Sequence, residues 1–309
     1  MKLEVPLSLD VTLCCGQVFR WERHGEWWFG VVDDRTVKMR QVDRSLEFHG
    51  VDEGFVRRYF SLDHDLQRIS AEIGKDEHMK EALRLFWGLR IIRQEPWECL
   101  ISFICATYKS VAAIRNMLLR LSARFGESLH FEDCNFHAFP TASKLAKASL
   151  RELEGCGLGY RAKYIRETSN IVCSENFDFE TLRNLPYLEA KRALRLFPGV
   201  GSKVADCVLL FSLGKLEAFP VDVQIKRILL RKYGAHFSAD FVEKLARQGS
   251  LSDSEYERLN GFGREYFGEF AGYAQEYLYH YERMNANRKL EKGINRNRAT
   301  RVRHEAEQS

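Results

Sequence analysis

Apolar and polar positions near the start of the chain alternate with a period of two. Trp27, Phe29 and Val31 interleave with Trp28, Gly30 and Val32, and Val37, Met39 and Gln41 follow an Asp33-Asp34-Arg35 turn. A period of two sends successive side chains to opposite faces of a strand. With Gly25 and Gly50 punctuating the hairpins, residues 1 to about 60 predict a small antiparallel sheet. From about residue 65 the apolar spacing becomes helical, over 79–89, 97–106 and 111–125. The last of these follows Ser110, a good N-cap, and stops at Gly126. Further helices are expected at 141–153, 160–173, 187–196, 204–213, 223–233, 238–248, 253–260 and 264–285. No internal repeat is evident. Strands first and helices after predict an α+β chain: a sheet domain over 1–80, a helical domain over 81–285 and a tail over 286–309.

Composition narrows the picture. A chain of 309 residues, 45% of them hydrophobic, can bury a large core. No segment reaches 18 uncharged apolar residues and the start lacks a secretory pattern, so an intracellular protein without membrane contact is expected. The net charge of +4 is a weak pointer to nucleic acid. Residues 288–303 hold seven basic residues (Arg288, Lys289, Lys292, Arg296, Arg298, Arg301 and Arg303) against Glu291, and read as a disordered basic tail that attracts phosphates. The eight cysteines form no C-x-x-C pair and do not group as zinc or iron–sulfur ligands, so free thiols in a reducing compartment and no metal site are expected.

The most informative stretch runs from Phe197 to Asp222. Pro198-Gly199-Val200-Gly201 is a tight glycine-rich hairpin opening into an apolar helix. Its outward amides beside a helix N-terminus form an anion site, suited to a DNA phosphate or a nucleotide. The helix Val204 to Leu213 is roughly 15 Å long, with Gly214 as its stop. Residues 215–221 reach back beside it, so Asp222 returns near Lys203 and caps a second helix that ends at Gly234. Lys203, Cys207 and Phe211 share one face at i, i+4 and i+8 and form one wall of a pocket. Taken singly, the lysine reads as a phosphate contact and the aspartate as a cap. Jointly, within the P-G-V-G-S-K…P-V-D pattern, they favour catalysis.

Hairpin, lysine and following aspartate together resemble the helix-hairpin-helix DNA glycosylases, specifically the bifunctional 8-oxoguanine DNA glycosylase/lyases. Gly16-Gln17-Val18-Phe19-Arg20-Trp21 is similar to the G-Q-x-F-R-W segment of that family, Gly157-Leu158-Gly159-Tyr160-Arg161 to its G-L-G-Y-R loop, and Gln275 with Tyr279 to a glutamine and an aromatic four residues on. The resemblance runs from about Leu9 to Tyr281. It implies a helix-hairpin-helix glycosylase domain behind the sheet, acting on 8-oxoguanine flipped out of double-stranded DNA. Lys203 is then the nucleophile at the sugar C1′, expelling the base and forming a Schiff base that permits strand scission, with Asp222 assisting. The Gly16 carbonyl accepts from the N7 proton that 8-oxoguanine has and guanine lacks. Gln275 reads the Watson–Crick edge, Tyr279 stacks on the base and Cys207 meets its other face, while Phe211 and Pro220 complete the base pocket. Gly199, Val200 and Gly201 grip the backbone, Tyr160 wedges into the stack and Arg161 holds the opposite strand. No cofactor is implied beyond a structural cation at the hairpin carbonyls near Arg195, Phe197 and Val200. A monomer is expected.

The chain departs from the family at three positions. Tyr108 stands where an asparagine fills the vacated space, Gln224 replaces a histidine that contacts the strand, and Ala113 replaces an arginine that reads the orphaned cytosine. An alanine has no guanidinium fork to offer a base edge, so weak opposite-base preference is expected. Two other readings share features with this one: a monofunctional glycosylase for alkylated bases, against which Lys203 argues, and a non-catalytic helix-hairpin-helix DNA-binding protein.

Overall fold

In the computed structural model, which describes residues 1–174 and 177–285, the alternating stretch forms a four-stranded antiparallel sheet: β1 (Trp21–His24), β2 (Trp27–Val32), β3 (Arg35–Val42) and β4 (Ser45–His49), in the order β1-β2-β3-β4. Trp28 pairs with Met39 and Gly30 with Val37. Gly30 also faces Trp21 on β1, and a Cβ there would lie 2.5 Å from the indole, so the missing side chain is filled by the ring. Trp21, Trp28, Val37, Met39 and Leu46 bury one face against Phe55, Val56, Tyr59 and Phe60.

The expectation of strands through residue 60 is corrected at two points, because Leu9–Cys14 and Glu53–Tyr59 are helices. The second has a helix start signal, Asp52 accepting the Phe55 amide at 2.7 Å. A hairpin of β5 (Ser128–Phe131) and β6 (Cys134–His137) went unpredicted, its four-residue strands having no buried position and being too short for a period to register.

The helical part follows the expected order. Pro96–Cys105 and Ser202–Phe211 pack side by side at its centre, with the Phe103 and Phe211 rings stacked at 5.5 Å. Val204 through Phe211 are all buried. Ser110 caps Val111–Phe125 as expected. The expected helix at 141–153 is two, Ala142–Lys147 and Leu150–Gly155, because Ser149 starts a new turn with a capping box to Glu152. The break expected between 260 and 264 lies further on. Asp253–Phe267 is continuous, Gly268 takes a φ of 74° in a short 3-10 turn, and residues 271–285 form the last described helix. Gly263 lets the Asp253–Phe267 helix close on the Phe219 ring, which a Cβ would meet at 2.4 Å.

A buried polar network underlies this packing. The Asp206 carboxylate accepts from the Tyr187 and Tyr256 hydroxyls at 2.6 Å each, from Asn260 at 3.0 Å and from the Lys191 ammonium at 3.0 Å. Asn260 also donates to the Phe219 carbonyl at 2.9 Å, and the Tyr256 hydroxyl accepts the Val221 amide at 3.3 Å. The segment leading into Asp222 is thereby fixed to the helix that carries Lys203. The basic stretch 288–303 lies outside the described residues.

Candidate active site

A cavity of about 620 Å³ opens between the two parts of the chain. Lys203, Cys207 and Phe211 from the central helix line one wall, Pro220, Asp222 and Gln224 another, and Gln275 and Tyr279 of the last helix a third. Gly16, almost 200 residues from the hairpin, completes it. Tyr108, Gly199 and Gly201 stand at the same opening.

Local sequence explains how each is held. The Ser202–Phe211 helix starts at Gly201 with no side-chain cap, leaving its first amides open. Gly199 makes the turn at a φ of 80°, and a Cβ there would lie 2.7 Å from the Tyr164 ring. Gly201 has open space where its Cβ would be. Asp222 caps Val223–Lys232 by accepting the Ile225 amide at 2.8 Å. It is therefore both the expected cap and a cavity carboxylate. Burial pushes its carboxyl above the ordinary range, opposed by the Ile225 amide and the Lys203 charge. Lys203 is half-buried, with Nζ 5.0 Å from the centre of the Phe103 ring. Burial pushes the Cys207 thiol up to about 12, which keeps it neutral.

The G-Q-V-F-R-W segment proves to be a clamp around Gly16. The Gln17 amide is buried, donating to the Arg90 carbonyl at 2.8 Å and accepting the Ile92 amide at 2.7 Å. Phe19 meets Phe103 edge-on at 5.8 Å, and Arg20 holds Glu98 with two bonds of 2.6 Å. Trp21 donates to the Tyr59 hydroxyl at 2.9 Å. Gly16 itself has a φ of 109°, and a Cβ would lie 3.0 Å from the Arg283 guanidinium and 3.2 Å from the Tyr279 ring. Arg283 ties the clamp to the last helix through the Cys14 and Cys15 carbonyls.

Gln275 is 5% exposed and its Oε1 has no hydrogen-bond partner among the described residues. A buried acceptor left open on a cavity wall is an unused binding group. Tyr279 is partly buried above it. Tyr108 is 76% exposed with a φ of 55°, in the left-handed region that a bulky residue seldom adopts.

Three expected residues lie outside the cavity. Val200 is buried under the hairpin. Tyr160 is exposed on a neighbouring loop, edge-on to Tyr164. Arg161 is buried, lying over the Tyr160 ring at 4.4 Å and donating to the Thr107 carbonyl, so in this structure it joins the two aromatic loops. Phe103, Phe19, Glu276 and Arg283 line the cavity without having been singled out as site residues. The spacing offered a signal for Arg283, four residues after Tyr279 on the same helix face.

A hairpin, a helix-borne lysine and a following aspartate opening onto one cavity define a base excision DNA repair protein. Residues 101–248 match the HhH-GPD superfamily of such proteins, and residues 2–100 match the 8-oxoguanine DNA glycosylase N-terminal domain. The chain is 30% identical to the N-glycosylase/DNA lyase of Arabidopsis thaliana over 297 residues, covering 88% of this chain and 76% of the relative. It is 33% identical to a probable N-glycosylase/DNA lyase of Methanothermobacter thermautotrophicus over 245 residues, 72% of each. The 8-oxoguanine glycosylase/lyase of Clostridium acetobutylicum, solved with double-stranded DNA containing cytosine opposite the lesion, superposes with a TM-score of 0.82 at 31% identity, covering 91% of this chain and 93% of that one. The chain belongs to the 8-oxoguanine DNA glycosylase/lyase family.

Proposed function

We propose that this protein binds double-stranded DNA, flips 8-oxoguanine into the cavity and removes it through Lys203. The observation that carries the reading is the meeting of Lys203 and Asp222 with Gly16, Gln275 and Tyr279 around one cavity, from segments at both ends and the middle of the chain. A base is unreachable inside a duplex, so the reaction needs a cavity of this kind beside a backbone grip. The open amides at Gly201 and the hairpin supply that grip.

The Lys203 amine attacks C1′ as its bond to the base breaks, and the base leaves with its electron pair and takes up a proton. Lysine attacks as a neutral amine, and Asp222, which lines the same cavity, takes the proton and steadies the positive charge growing on the sugar. The Schiff base that follows acidifies the C2′ proton, and its loss expels the 3′-phosphate. Gly16 offers its carbonyl to the N7 proton of the lesion and Gln275 its amide to the Watson–Crick edge. Tyr279 and Cys207 enclose the base, with Phe211 and Pro220 behind it. Tyr108 and Tyr160 enter the base stack, Val200 shapes the hairpin, and Gln224 and Arg161 meet the strands.

A cation at the hairpin carbonyls of Arg195, Phe197 and Val200 fits as a bridge to phosphate. The Phe197 carbonyl accepts the Val200 amide at 3.1 Å and keeps a second lone pair. Among the described residues no helix is long and apolar enough to cross a membrane. An intracellular monomer is the accompanying proposal.

Borohydride reduces a Schiff base to a stable amine, so lesion-containing duplex should be trapped covalently by the native protein. Lys203→Gln should yield no adduct while still binding the duplex. Adduct formation by that variant would remove Lys203 from the role of nucleophile.

A further inference from the structure

Glu276 follows Gln275 on the last helix and lines the same cavity. It is 2% exposed, and its Oε1 has no hydrogen-bond partner among the described residues. A buried carboxyl oxygen without a partner is destabilising and calls for a use. Its surroundings favour the acid form near neutrality: burial pushes the carboxyl up to about 7, with Cys15 and Arg283 pulling down and Asp222 pushing further up.

The neighbours of Glu276 give its place along a bound base. Cys15, the residue before Gly16, acts on its carboxyl directly, and Gln275 precedes it on the helix, about 100° round the axis. On a guanine-type base the edge groups run N7, O6, N1 and the 2-amino group in that order. A carbonyl wall that takes N7 and an amide that takes the Watson–Crick edge leave the six-position between them. We propose that Glu276 reads the six-position of the flipped base, its carboxylic acid donating a hydrogen bond to O6. This rests on the function proposed above and adds a specificity-determining residue to it. A six-amino base presents a donor at that position, which the carbonyl oxygen of the acid accepts weakly and the ionised carboxylate accepts strongly. Glu276 therefore favours six-oxo over six-amino lesions in acid and loses that preference in base.

The charged and titratable groups around Glu276 are Cys15 from the N-terminal segment, Tyr279 and Arg283 from its own helix, Cys207 and Lys203 from the central helix, and Asp222 from the neighbouring helix start. Cys207 and Tyr279 are each pushed up to about 12 and Cys15 well above its ordinary value, so none of the three ionises between pH 6 and pH 8. Asp222 is the acidic group to be separated from Glu276.

The test is equilibrium binding of the full chain carrying Lys203→Gln, by fluorescence anisotropy at pH 6 and pH 8. The duplexes contain 8-oxoguanine, 8-oxoadenine or no lesion, and each affinity is divided by that for undamaged duplex to cancel phosphate effects. For a group titrating near 7 the acid form falls about tenfold across this range, and the 8-oxoguanine ratio should fall by about that factor while the 8-oxoadenine ratio rises. Adding Glu276→Gln, whose amide donates at either pH, should flatten the 8-oxoguanine profile. A flat profile with Glu276 present, or the same slope after Glu276→Gln, would overturn the inference and in the second case assign the titration to Asp222. If the lesion ratio is 1 at both pH values and native protein gives no borohydride adduct, the glycosylase reading fails with it.

Discussion

Replacing Lys191 by Met is the most direct probe of how the fold holds the active site. Lys191 is 4% exposed and its ammonium lies 3.0 Å from Asp206, which is fully buried. The methionine fills the space of the alkyl stem but leaves the carboxylate without its counter-charge. Removing one partner of a buried ion pair costs about 3–5 kcal/mol, because the other charge stays desolvated. Asp206 keeps three hydrogen bonds, from Tyr187, Tyr256 and Asn260, so the lower end applies, about 3 kcal/mol. At roughly 2–4 °C per kcal/mol for a chain of this class, Tm should fall by roughly 6–12 °C.

The effect has a direction in pH. Burial already raises the Asp206 carboxyl above its ordinary value, and Lys191 is the strongest opposing influence. A carboxyl whose folded pKa is raised contributes stability that is present at low pH and lost as pH climbs through the folded value. Removing Lys191 raises that value further, so the deficit should be larger at pH 8 than at pH 5.5. The assay is thermal unfolding followed by near-ultraviolet circular dichroism at both pH values. Adding Asp206→Asn to the variant removes the stranded charge and should recover part of the loss at pH 8. A Tm within 2 °C of the native protein, or a deficit independent of pH, would refute the claim that a desolvated ion pair anchors the segment leading into Asp222.

Two further outcomes follow from the site. Asparagine caps a helix as well as aspartate, so Asp222→Asn should leave Tm nearly unchanged while slowing excision by roughly 10²–10⁴, measured in single-turnover assays; equal loss of folding and activity would reduce Asp222 to a cap. Ala113 has no group to read a base edge, so excision rates opposite the four normal bases should lie within about tenfold of one another. A strong preference for cytosine in that comparison would mean that another residue supplies the readout.

Some of this was legible along the chain because the forces involved are local. The alternation in β2 and β3, the Ser110 cap and the Asp222 cap each depend on residues a few positions apart, and each is found where expected, whereas the helix expected to stop at Gly214 ends two residues earlier with Ser212 as its cap. Lys203, Cys207 and Phe211 were placed together by helical spacing alone, and all three line the cavity. Arg161 is different. It opens the Arg161–Ser174 helix just after a loop that reads as a strand contact, yet its guanidinium turns inward to Thr107, a partner 54 positions away that no local pattern reveals.

The sequence by itself determined which residue types were available for chemistry and which short segments would turn, cap or stop. It carried the lysine, the returning aspartate and the hairpin within 26 consecutive residues, close enough for chain geometry to bring them together. Only the tertiary structure decided what the cavity could recognise. Gly16 becomes a wall because Gln17, Arg20 and Trp21 clamp it from partners 38 to 78 positions distant, and because Arg283 reaches back across the chain. Glu276 is an unremarkable acidic residue in a helix until burial takes away its water. Desolvation depends on everything packed around a group, and that environment is assembled only when distant segments meet.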